Sequence, residues 1–116
     1  MLRQARLDSA GTLHHIILRG IEQRPIFDDD LDRESFVSRL GKMALETKTK
    51  VYGWSLLTNH AHLLIRSGPE GLPKFMRRLL TGYAQEYNRR HKRYGHLFQN
   101  RYKCQWESKS VPVLGK

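Results

Sequence analysis

A chain of 116 residues is long enough for one domain with a single core, and its 28% charged and 39% hydrophobic residues suit a folded protein and not a disordered one. Twenty-one Lys and Arg against 11 Asp and Glu leave a net charge of +10, which calls for a polyanionic partner. The lone Cys104 excludes an internal disulfide and a cysteine-only metal cluster, and no apolar run approaches the ~20 residues of a membrane span. No apolar stretch follows the arginines of the first six residues, so a signal peptide is not expected and a reducing, cytoplasmic compartment is.

Leu13–Arg19 is short, apolar and β-branched and stops at Gly20, the pattern of a buried strand. After the connector 24–27, Asp28, Asp29 and Asp30 offer N-caps. Phe36, Val37, Leu40, Met43 and Ala44 then recur at helical spacing over about 31–46. Residues 51–57 and 60–66 read as two strands joined at Thr58 and Asn59, an antiparallel hairpin. Pro73 suits the first turn of a helix whose stripe of Leu72, Phe75, Met76, Leu79, Leu80, Tyr83 and Tyr87 runs to about His91. A fourth strand is expected over 96–106, and a disordered tail over 108–116, which leaves 1–107 as the domain. Strand, helix, strand, strand, helix, strand (βαββαβ) is the order of a ferredoxin-like α+β fold: an antiparallel sheet with both helices on one face and the other face open.

The charge is uneven. Residues 74–103 carry Lys74, Arg77, Arg78, Arg89, Arg90, Lys92, Arg93, Arg101 and Lys103 against Glu86 alone. They are interleaved with Tyr83, Tyr87, Tyr94, His96, Phe98 and Tyr102, as in a surface that neutralises phosphates and stacks bases. A solvated basic helix face is the plainer reading of any one or two of these cations.

His60-Ala61-His62 is the sharpest local feature. On a strand, His60, His62 and Leu64 share one face and Ala61, Leu63 and Ile65 the other. The small apolar set should pack on the helices, leaving two imidazoles on the open face, roughly 6–7 Å apart along the strand. Such a pair can converge on one divalent ion, but the same spacing also serves exposed or hydrogen-bonded histidines. His14, His15, His91 and His96 carry no stronger signal. His15 could share the open face, although a packed histidine is the expectation there.

In order, His15-Ile16-Ile17-Leu18-Arg19-Gly20, Ile26-Phe27 with the acidic helix start, Thr58-Asn59-His60-Ala61-His62-Leu63-Leu64-Ile65, Tyr87-Asn88-Arg89-Arg90 and 95–103 resemble the single-tyrosine HUH transposases, in particular their REP-associated branch. The resemblance covers nearly all of residues 13–103. Thr58 stands where that family usually has proline, and Ala61 is smaller than its usual residue. The resemblance implies metal ligation by His60 and His62, with Mg²⁺ or Mn²⁺ as cofactor. It implies binding of hairpin-bearing single-stranded DNA, with Arg19 joining the basic residues of 74–103, and localisation at the nucleoid. It also implies strand cleavage and transfer through a phosphotyrosine, with homodimers common. The family's nucleophile lies on a helix beyond the Arg-Tyr-Lys strand with a Tyr-Ile-x-x-Asn-Pro signature. No tyrosine follows Tyr102 here, so no catalytic tyrosine is carried over. The expectation is a transposase-like protein that binds hairpin-bearing single-stranded DNA; the alternative is a truncated, catalytically inactive module that binds hairpin or single-stranded DNA. An RNA-binding ferredoxin-like module is a third reading, and it lacks its glycine–aromatic motif here.

Overall fold

A computed structural model describes residues 13–99 and 102–107. The strands are β1 (Leu13–Arg19), β2 (Lys50–Leu57), β3 (His60–Arg66) and β4 (Lys103–Glu107), and the helices are α1 (Asp30–Thr47) and α2 (Leu72–His91). The strand order is β2-β3-β1-β4 with every pairing antiparallel, so the two strands that carry histidines lie side by side at the centre. The ferredoxin-like arrangement follows. Both helices cover one face, and among the described residues no helix lies on the other.

Period-two patterning decides which face each side chain takes. In register, Ile16 pairs with Leu63 and Leu18 with Ala61, and all four are at most 1% exposed beneath the helices. Their neighbours His15, Ile17, Arg19, His60, His62 and Leu64 therefore project from the opposite face. The core is completed by Phe36, Leu40 and Met43 of α1 and by Leu72, Phe75, Met76, Leu79, Tyr83 and Tyr87 of α2. Tyr83 packs edge-on against Phe36 and donates its hydroxyl to the Ile26 carbonyl at 2.6 Å, so the ring can be buried without stranding a polar atom.

The helix ends follow the sequence cues closely. Asp29 caps α1, its carboxylate accepting from the Asp32 amide at 3.1 Å, and Pro73 sits in the first turn of α2. The two helices run antiparallel, fastened near one end by Arg90 on Asp29 and Asp32, midway by Arg39 on Glu86, and near the other end by Arg78 on Glu46.

The fourth strand is shorter than expected. Regular pairing with β1 begins only at Lys103, whereas 97–99 pair with the turn beyond β1: the Ile21 amide donates to the Leu97 carbonyl and the Gln99 amide to the Arg19 carbonyl, both at 2.9 Å. The Asn88 side chain, donating to the Gly95 carbonyl, holds 95–96 back against α2 and out of the sheet. Gly20 is required at that turn, because a Cβ there would lie 1.9 Å from the Arg24 carbonyl oxygen. Asn100, Arg101 and the tail 108–116 lie outside the described residues.

Candidate metal centre and nucleic-acid interface

Three histidines meet on the open face. His60 and His62, two apart on β3, bring their ring centroids to 5.3 Å. Across the strand pair, His15 of β1 approaches His62 with centroids also 5.3 Å apart and its Nε2 3.1 Å from the His62 Nδ1. The His60 Nδ1 lies 3.0 Å from the Asn59 side-chain oxygen, which makes it a donor, since an amide oxygen only accepts. The Asn59 amide is itself oriented by donating its NH₂ to the Gln23 carbonyl at 3.4 Å.

Burial and neighbouring groups disfavour a charged imidazole at the centre of this cluster. Partial burial first, then the nearby charges of His15, His60 and Arg19, hold the His62 imidazole below its ordinary pKa. A neutral imidazole keeps a lone pair for a cation, and ligating histidines need that form. Of the two readings of His15, sharing the open face or being a packed, satisfied histidine, the register selects the open face, while His14 is the fully buried histidine of that strand.

A second cluster, Asp28, Asp32 and His91, also brings three potential donor atoms within 4.8 Å of one another. Its lone pairs are already engaged. The Asp32 carboxylate accepts from Arg90, from His91 at 2.8 Å and from the Asp28 amide at 2.8 Å, while the Tyr87 hydroxyl donates to Asp28. Placing anions at the start of α1 and cations at the end of α2 suits both helix dipoles. This cluster is a clasp between helices, which the sequence reading did not foresee, because its partners lie some sixty residues apart.

The basic residues divide into groups. Arg19, in register with His60, extends from the histidine face itself. Lys92 and Arg93 close α2 at the same end of the sheet, where 97–99 meet the end of β1; Arg93 donates to the Asn88 side chain and the His96 carbonyl. Lys74, Arg77 and Arg78 lie in the first half of α2, whose turns there also carry the core residues Phe75, Met76 and Leu79, on the side of the sheet away from the histidines. Arg78 and Lys74 form ion pairs with Glu46 and Glu70, and Arg90 is held by the clasp. Among the described residues Arg77, Arg89 and Lys92 form no ion pair. Lys103 pairs in register with Ile17, and Ile17 in turn with His62. Arg101 lies outside the described residues. Among the described residues, the α2 cations therefore divide between the helix end near the histidines and the opposite end of the helix.

The family described as "Transposase IS200 like" matches residues 9–113. The chain belongs to that family. Among solved structures, it superimposes on a protein from Deinococcus radiodurans R1 assigned as a transposase, with a TM-score of 0.66 and 16% identity over 83% of this chain and 78% of that one. It superimposes equally on the REP-associated tyrosine transposase bound to a REP hairpin, TM-score 0.66 and 11% identity, covering 86% of this chain and 58% of that one. At such identities the likeness speaks for the fold. No curated protein matches the chain in sequence. No helix among the described residues is long and apolar enough to cross a membrane.

Proposed function

We propose that this chain binds hairpin-bearing single-stranded DNA and that His60 and His62 hold a divalent cation, Mg²⁺ or Mn²⁺, against a phosphodiester of that strand. The observation that carries the reading is the pair of imidazoles on the sheet face opposite the helices, with Arg19 alongside. The donor set fits such an ion: imidazole nitrogens favour Mn²⁺ over Mg²⁺, and phosphate oxygens and water complete a shell for either. When bound, the ion supplies Lewis-acid polarisation of the phosphate. The chain's own groups bind and orient. Arg19 neutralises a phosphate next to the histidines, and Lys92 and Arg93 extend the cationic track around the end of α2. The hairpin in the REP-associated structure supports this choice of partner.

Cleavage through a phosphotyrosine, the chemistry of relatives, needs an accessible tyrosine. Tyr83 and Tyr87 do not qualify, being buried, hydrogen-bonded and, through desolvation above all, held well above the ordinary phenol pKa. Recognition of the hairpin-bearing strand is the activity proposed for this chain, and neither helix tyrosine is assigned as a nucleophile. Fluorescence anisotropy with a hairpin bearing a single-stranded flank, an unstructured strand of equal length and a blunt duplex tests it. The flanked hairpin is expected to bind tightest. Its affinity should fall with a log–log salt slope of about −0.7 to −0.9 per phosphate neutralised, and Arg19→Ala should remove about one such increment. Equal affinity for all three DNAs, or a flat salt dependence, would overturn the proposal.

A further inference from the structure

The geometry points to His15 and Asn59 as positioning residues that fix the proton of each HUH histidine on Nδ1, so that both Nε2 lone pairs face a cation. This rests on the metal reading above but can be tested without metal. For His60 the assignment follows from hydrogen-bond chemistry: Asn59 Oδ1 accepts, so Nδ1 carries the proton and Nε2 does not. For His62, a nitrogen–nitrogen approach of 3.1 Å requires a proton between the rings. Were His15 the donor, His62 would carry its own proton on Nε2 and have no lone pair left for a metal. With His62 Nδ1 donating to His15 Nε2, the two β3 histidines become equivalent, each braced behind by an acceptor and open in front. Metal-binding histidines are commonly oriented in this way by a partner on the second ring nitrogen.

A competing role for His15 is that of a third ligand. The distances disfavour it: among the described residues only Asp28, Asp32 and His91 bring three donor atoms within 4.8 Å of one another, so the three histidines do not close to that range as a trio. His15 lies behind His62, and it acts through it.

Long-range ¹H–¹⁵N correlation spectra of the metal-free full chain at about pH 8, where imidazoles of ordinary pKa ~6.5 are neutral, read the tautomers directly. His60 and His62 are both expected as the Nδ1–H form. An Nε2–H form of His62 in the unaltered chain would overturn the inference, whether or not the protein binds metal. His15→Leu should release His62 to the Nε2–H form and weaken Mn²⁺ binding about 10- to 100-fold. His15→Gln, whose amide oxygen reaches the same place, should restore most of the affinity. Electron spin-echo modulation of bound Mn²⁺ should report two imidazole nitrogens; three would make His15 a ligand and overturn the positioning role. If Mn²⁺ fails to bind while both tautomers are as stated, it is the metal reading of the site that falls.

Discussion

Along β3, three side chains and the three between them live in different worlds. Ala61, Leu63 and Ile65 are sealed under α1 and α2 at 0–1% exposure, while His60, His62 and Leu64 are half-buried on the opposite side, with imidazoles meeting across the strand pair. One backbone serves both, because successive residues of a strand point to opposite faces. The core face is selected for shape, since a close-packed interior registers the loss of a few methylenes. The open face is freed from packing, so its residues can be chosen for lone pairs and charge. Separating the two lets a rigid sheet hold two imidazoles without relying on a loop for their geometry.

The sharpest way to test that division is to damage one face and look for consequences on the other. Leu63→Ala removes a fully buried side chain from the centre of the sheet and is expected to destabilise the fold by about 2–5 kcal/mol in denaturant melts. Whatever fraction remains folded should bind Mn²⁺ with unchanged stoichiometry. Replacing His60 and His62 together with alanine should do the reverse. The heat of Mn²⁺ titration should vanish, while stability moves by no more than about 1 kcal/mol, since each lost ring gives up a part-exposed hydrogen bond. Unaltered titration heats would remove the metal from this face. A collapse of stability comparable to that of Leu63→Ala would mean that the two faces are not independent.

Much of this division is legible in the sequence. The alternation of Ala61, Leu63 and Ile65 with His60, His62 and Leu64 is a local pattern, as are the caps and stripes of both helices, and local patterns can be read from one chain. The position of His15 depends instead on register. Its neighbours Ile16 and Leu18 alternate with it, which allowed the open face without deciding it. Pairing with Leu64, and contact with His62 beyond it, could come only from aligning two strands separated by a helix and another strand. Where the cations of 74–103 lie depends on tertiary placement in the same way: sequence proximity on a 20-residue helix spreads cations over about 30 Å and around its circumference. Arg78 and Arg90 then meet acidic partners contributed by the far end of α1 and by its cap.

Those partners give the smallest effect, one confined to the helix layer. The Arg90 guanidinium first, with help from the Asp32 amide, holds the Asp29 carboxyl well below the usual carboxylate range, and Arg39 with Ser35 does the same more mildly for Glu86. A carboxyl whose pKa is depressed on folding stabilises the native state above its unfolded value, near 4, and that stabilisation is lost as pH falls through the folded value. The unfolded chain binds the extra protons in this window, so stability should decline on acidification below about pH 4. Asp29→Asn should flatten the decline, with the loss already present at neutral pH and modest, because the pair faces water. Thermal melts of the two proteins from neutral pH downward should therefore converge in acid. Parallel curves would mean that the clasp on Asp29 contributes nothing to folding, and that the antiparallel seating of α1 on α2 rests on the apolar contacts of Phe36, Leu40, Leu79 and Tyr83.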